Sequence, residues 1–318
     1  MSDQVVHGVH EYDDDPRNDA VLVYVNGELK PRAEAVVSVF DSGFVLGDGV
    51  WEGLRVHGGH PVFLDRHLDR LYEGAKAIAL DTGLSRDDLR AAIYRTLRAN
   101  RMTDGVHVRL MVTRGVKRTP YQDPRMTAGP ATIVIVPEYK EPSRAVVDAG
   151  IRLFTVHVRR PYPDVLDPKL NTHSKLNDIT ACIQAYSAGA DEALMLDPHG
   201  FVATCNSTHF FIVRQGQLWT SSGAFCLGGI TRATVLRLAR EAGIPTYERD
   251  FSLTDVYGAD EAFVTGTFAG IVPVREVDGR TIGDADERPV MLRLRALYHA
   301  AIDRDVTEAA RRRGRRRG

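Results

Sequence analysis

The sequence predicts an α+β chain (irregular α/β) of two domains, on three observations. Segments with helical apolar spacing and short apolar strands follow one another without strict βαβ alternation, which argues against a doubly wound sheet. A polar, proline-bearing stretch, Glu138-Tyr139-Lys140-Glu141-Pro142-Ser143, interrupts them near the middle and marks a linker over 138–148. The 318 residues suffice for one large or two medium cores. The expected division is a disordered lead over 1–18, a smaller N-terminal α/β domain over 19–137, a larger C-terminal domain over 149–304, and a basic tail over 305–318.

The elements follow in order. Ala20 to Val25 is apolar and runs into Asn26-Gly27, the dipeptide suited to the left-handed backbone of a hairpin turn, so a strand is expected there. Ala35 to Phe40 is expected as another strand, and Val50 to His57 as a third, with Gly58-Gly59-His60 turning after it. Leu68, Leu71, Ala75 and Ile78 place a helix over 65–80. Ser85-x-x-Asp88 opens a second helix to Asn100, because a serine there can accept from the free N–H groups of the first turn. Strands are expected over 107–113, 131–136, 151–158, 193–196, 201–204, 210–214 and 262–264. Helices are expected over 176–188, over 232–242 with Gly243 ending it, and over about 290–304.

Composition excludes several classes. Hydrophobic content of 43% and charged content of 26% are those of an ordinary globular chain. A formal net charge of −1 gives no reason to expect nucleic acid as the main partner. No apolar run approaches the roughly 20 residues that cross a bilayer. Cys182, Cys205 and Cys226 form no disulfide framework and lack metal-ligand spacing, and the polar start is unlike a secretory signal, so a cytoplasmic, metal-free protein is expected. The Arg311–Arg317 block reads as a solvated tail.

The chemistry concentrates in the second half. Gly228-Gly229-Ile230-Thr231-Arg232 opens a helix: glycines admit close approach of a ligand, and a helix N-terminus offers N–H groups and a favourable dipole to an anion. An ordinary loop with Thr231 as a cap explains the same letters. Gly266 and Thr267, after Thr265, close a strand in a second Gly/Thr turn. Arg70 offers a charged fork, or else is a solvated arginine paired with Asp69 or Glu73. Lys169 and Lys175 are the only lysines after Lys140. An amine able to form a Schiff base, with two separate Gly/Thr turns, is what holding a phosphorylated aldehyde requires. That points to pyridoxal 5'-phosphate.

Taken together these segments resemble the class IV aminotransferase family, the fold type IV pyridoxal phosphate enzymes that include branched-chain and D-amino-acid aminotransferases and aminodeoxychorismate lyase. The resemblance runs from about Tyr24 to Gly283. It rests on Tyr24-Val25-Asn26-Gly27, Gly49-Val50-Trp51-Glu52-Gly53-Leu54-Arg55, His67-Leu68-Asp69-Arg70-Leu71 and Gly189-Ala190-Asp191-Glu192-Ala193. It continues through Gly229-Ile230-Thr231-Arg232, Ala259 to Thr267, Val272-Pro273-Val274 and Asp278-Gly279-Arg280. It implies that the C-terminal domain binds the cofactor and that Arg70, Ile230, Thr231 and Thr267 hold its phosphate. It implies also a homodimer, with Trp51 and residues around His107 and Arg109 facing substrate.

Three positions depart from the family. Counting back without gaps from Gly189-Ala190-Asp191-Glu192 puts Asn171 where relatives carry the Schiff-base lysine, and Lys175 where they often carry a tyrosine near the cofactor's phenolic oxygen. Lys175 is therefore expected to be the Schiff-base lysine and proton shuttle, with Lys169 second. Thr204 stands where relatives usually have a glutamate that keeps the pyridine nitrogen protonated. The expected activity is transfer of an amino group between an amino acid or amine and a 2-keto acid, with Arg109, Arg114 or Arg118 receiving the substrate carboxylate. A pyruvate-releasing lyase and a catalytically impaired binding protein are the alternatives.

Overall fold

The computed structural model describes residues 8–284 and 287–315. They divide into two compact units, each built on its own sheet. The chain crosses between units at 13/14, 141/142, 169/170, 174/175 and 301/302.

The smaller unit comprises residues 14–141, 170–174 and the chain after 301. Its strands are β1 (Leu22–Val25), β2 (Glu28–Pro31), β3 (Gly49–His57), β4 (His60–Pro61), β5 (Val106–Thr113) and β6 (Thr132–Tyr139), in the order β2-β1-β6-β5-β3-β4, all pairs antiparallel. Asn26 and Gly27 both take positive φ, 48° and 98°, which makes the two-residue turn from β1 to β2 possible. Along β5, Val106, Val108, Leu110 and Val112 are sealed while the residues between are half-open, the alternation of a sheet covered on one face. The cover is two helices, Leu64–Ala77 and Arg86–Ala99, whose Leu68, Leu71, Leu89, Ile93 and Leu97 join those valines in one core. The Ser85 side chain accepts from the Asp88 N–H and fixes the start of the second helix. Truncating a core side chain such as Ile93 to alanine removes about 2–5 kcal/mol.

The larger unit carries β7 (Ile151–Thr155), β8 (Glu192–Leu196), β9 (Val202–Cys205), β10 (His209–Arg214), β11 (Gln217–Thr220), β12 (Thr246–Glu248), β13 (Glu261–Gly266), β14 (Gly270–Val277) and β15 (Arg280–Thr281). The order is β12-β11-β10-β13-β14-β7-β8-β9, with β15 beside β14. Pairings are antiparallel except β11–β12, β14–β7 and β7–β8. Phe210, Ile212, Ala262, Val264, Val272 and Val274 point into one core. On the opposite face Phe211 stacks on Phe263, ring centroids 5.1 Å apart, and the helix Ile230–Glu241 packs against β13. The helix Leu176–Ser187 seats Ala181 and Ala185 on Ala193 and Met195 of β8.

Three expectations change. No strand forms over 35–40: a short 3-10 turn at Arg32–Glu34 precedes Val36, Val37, Val39 and Phe40, which are exposed because no neighbouring strand pairs with them. Of the lead expected to be disordered, residues 1–7 lie outside the described residues, but several of residues 8–18 make defined contacts. Val9 enters the core, His10 stacks on Phe268, and the Asn18 side chain bridges the backbone N–H and C=O of Tyr139. The last helix runs Pro289–Arg315, well past 304, so its repeated arginines lie on a continuing helix as far as they are described; residues 316–318 lie outside the described residues.

Candidate active site

In the larger unit the residues singled out in the sequence converge on one end of the sheet. The helix Ile230–Glu241 has Gly229 as N-cap with no side-chain cap, so Thr231 is its second residue and not its cap. The first N–H groups of such a helix have no intrahelical acceptor. Thr231 is buried, its hydroxyl 3.4 Å from that of Tyr298. Gly266 ends β13 and Thr267 lies in the turn to β14; a Cβ on Gly266 would meet the Thr208 methyl at 3.4 Å. Thr204 is buried on β9, and its hydroxyl donates to the Thr208 carbonyl at 2.8 Å. Its single proton is thereby placed, so toward any further group Thr204 offers an acceptor.

Gly229 was expected to admit a ligand, yet the group that comes close is protein. A Cβ there would run into the imidazole of His209, the first residue of β10. The reading of the sequence missed His209, and nothing in its local spacing distinguishes it. Thr265, paired with His209 across β10–β13, is wholly buried and its hydroxyl has no hydrogen-bond partner among the described residues.

Lys175 is the N-cap of the helix Leu176–Ser187, and its side chain is 32% exposed. Its Nζ lies 3.9 Å from Asp178, which binds Arg160 more closely at 2.5 Å. Arg160 Nε donates to the Phe225 carbonyl at 3.3 Å, so this line of charges ends in the loop that leads to Gly229. Lys169 is exposed, with its backbone N–H on Asp167.

In the smaller unit Trp51 on β3 and His107 and Arg109 on β5 share one face of the sheet. The Arg109 guanidinium lies over the Trp51 ring, 3.7 Å from its centroid. Burial makes the Arg109 guanidinium easier to deprotonate than usual, partly offset by Glu138. Asn171 stands against the same strand: its amide donates to the Trp51 carbonyl at 2.6 Å, and its own carbonyl accepts the Trp51 N–H at 3.0 Å. Arg70 is on the other face, where its Nε and Nη2 form a two-pronged bond to the buried Glu52, with His67 on the same carboxylate. Glu52 is thus one partner of Arg70. Arg114 is bound to Asp48 and to the Ala79 and Ile78 carbonyls. Arg118 is exposed.

The model of amino-transferase class IV matches residues 49–277. The chain belongs to the class IV aminotransferase family. Branched-chain-amino-acid aminotransferase-like protein 2 of Arabidopsis thaliana is 41% identical over 288 residues, 91% of this chain and 51% of that protein. This chain thus spans about half the length of that relative. The putative branched-chain-amino-acid aminotransferase of Methanocaldococcus jannaschii is 42% identical over 87% of this chain and 94% of its own. Among solved structures, a T.th. branched-chain amino acid aminotransferase with pyridoxamine 5'-phosphate superposes with a TM-score of 0.83 at 31% identity, covering 90% of this chain and 95% of that one. The class IV member described here has the fold type IV architecture. Among its described residues no helix is long and apolar enough to cross a membrane.

Proposed function

We propose that the protein is a pyridoxal phosphate-dependent aminotransferase, moving an amino group between an amino acid and a 2-keto acid. One observation carries the reading: the uncapped start of the helix at Gly229, the buried Thr231 on its first turn and the Gly266-Thr267 turn meet at one end of one sheet. That donor set fits a phosphate. When bound, the cofactor supplies the aldehyde and the electron sink for the reaction.

The chain's own groups divide the remaining work. The backbone at Gly229, Ile230 and Gly266, with the hydroxyls of Thr231 and Thr267, holds the phosphate. Lys175 supplies the amine for the aldehyde and for moving a proton, with Lys169 second. Thr204 supports a protonated ring nitrogen only weakly, as an acceptor without charge. Arg70, Trp51, His107 and Arg109 take their cofactor and substrate roles from the family likeness. For Arg109 a physical argument adds to it: an incoming carboxylate restores the stabilisation of charge that burial removes. The relatives' names favour transfer over the pyruvate-releasing lyase and the non-catalytic alternative.

We read the protein as a cytoplasmic homodimer. Val36, Val37, Val39, Phe40 and Phe44 are exposed on the smaller unit, beside a groove of about 390 Å³ lined partly by Val25, Val36, Val37 and Val116. Leu176, Ile179, Ile183 and Tyr186 form a second exposed stripe on the larger unit. Apolar surface of this extent fits a second copy of the chain. Sedimentation at micromolar concentration checks it; a monomer contradicts it.

Borohydride reduction with cofactor present, followed by peptide mapping, tests the catalyst. The expected result is modification at Lys175 and its loss, together with transamination, in Lys175→Ala. Modification elsewhere removes Lys175 from its role.

A further inference from the structure

Thr265 and His209 stand outside the residues assigned so far. They face each other across β10–β13, so their side chains leave the same face of the sheet. The helix Ile230–Glu241 covers that face, and the His209 ring abuts its N-cap, with Nε2 the ring atom nearest to where a Gly229 Cβ would stand. A wholly buried hydroxyl without a partner among the described residues thus lies across the ladder from an imidazole that abuts the uncapped start of a twelve-residue helix. Leaving a buried hydroxyl unsatisfied is costly, and here a group that accepts several hydrogen bonds removes that cost. A phosphate monoester is such a group. A pyridine ring without its phosphate is not.

We infer that His209 and Thr265 form the inner wall of the phosphate cup and set its preference for a phosphorylated over an unphosphorylated ligand. The inference rests on the cofactor reading above and adds two donors to it. His209 Nε2 and the Thr265 hydroxyl each donate to a phosphate oxygen, beside the N–H groups of the helix start. Glycine at 229 then serves the imidazole: any side chain there would push His209 off the spot. The glycine and the histidine form a dependent pair, and neither alone marks the site.

The experiment titrates the full-length protein, freed of cofactor by dialysis, with pyridoxal 5'-phosphate, pyridoxal and inorganic phosphate, using calorimetry so that binding is read without turnover. The variants are His209→Leu, His209→Asn, Thr265→Val and Thr265→Ser. Each of His209→Leu and Thr265→Val is expected to weaken pyridoxal 5'-phosphate and inorganic phosphate about tenfold, the size expected for one hydrogen bond to a charged group. Pyridoxal affinity stays unchanged, and His209→Asn and Thr265→Ser recover most of the loss. Equal losses for pyridoxal and its phosphate assign the pair to packing and overturn the inference. So does unchanged phosphate binding in folded His209→Leu and Thr265→Val. If His209→Leu fails to fold, Thr265→Val, which alters one atom, carries the test. A wild-type protein that binds none of the three ligands overturns the cofactor reading itself, a separate failure seen before any variant is made.

Discussion

Glu52 and Glu192 are both closed off from solvent, one in each unit, yet their carboxyls move in opposite directions. Burial alone pushes the Glu52 carboxyl up, but the hydrogen bonds from Arg70 and His67 outweigh it and hold Glu52 below the ordinary glutamate value. Burial also pushes Glu192 up, and its partners are Ser207 and Thr208, through hydroxyls and backbone N–H groups. Neutral donors do not overcome the desolvation, and Glu192 ends above the ordinary value. One of its oxygens has no hydrogen-bond partner at all among the described residues. What decides the fate of a buried carboxylate is whether a charge is placed against it, more than how many donors surround it.

The comparison breaks most readily at Glu52. Glu52→Gln leaves the partly buried Arg70 guanidinium facing a neutral amide, and disrupting one partner of a buried pair costs about 3–5 kcal/mol. Urea unfolding reads it directly. A loss below about 1 kcal/mol means that the charge on Glu52 contributes little to holding Arg70, and the two carboxylates are then less different than their partners suggest.

Acid sharpens the contrast, because the two sites give slopes of opposite sign. For Glu52 the folded value lies below 4.5, so its contribution is present above 4.5 and is lost as the pH falls through the folded value. His67 adds to that loss: burial lowers its folded value below 6.5, so the unfolded chain gains a proton first as the pH falls below 6.5. Glu192 works the other way, its cost appearing as the pH rises above 4.5 and complete once the folded value is passed. Stability of the wild type measured from about pH 7 down to about pH 2.5 should fall, and below pH 4.5 it should fall less steeply in Glu52→Gln. An unchanged acid slope in that variant would assign the acid sensitivity to other groups.

Much of this was legible in the sequence, and the illegible parts have physical causes. Leu68, Leu71, Leu89 and Ile93 recur at helical spacing because one face of each helix meets a sheet, and Ser85 reads as a cap because its side chain accepts from the first turn. Ala35–Phe40 carries strand-like letters but no strand, since apolar residues make a strand only where a neighbour supplies the ladder. The turns at Gly229 and Gly266 were readable as Gly/Thr clusters. His209 was not, because its meaning lies in a cross-strand register with Thr265 and in contact with Gly229, both far away in sequence. Glu192 hid for a related reason: Asp191-Glu192 looks like a surface pair, and only a strand buried at all five positions turns the glutamate inward.

The smallest expected effect falls on Glu192. In Glu192→Gln the side-chain oxygen still accepts from Ser207 and Thr208, while the amide nitrogen takes the place of the oxygen that has no partner. No charge is left facing a neutral group, so at pH 7–8 stability should change by less than about 1 kcal/mol, in the stabilising direction if either. Glu192→Ala is the control, since it strands the buried Thr208 hydroxyl and should cost about 1–3 kcal/mol. A Glu192→Gln loss as large as that of Glu52→Gln would mean that a positive group faces Glu192 after all, and that the asymmetry between the two sites lies in geometry and not in charge.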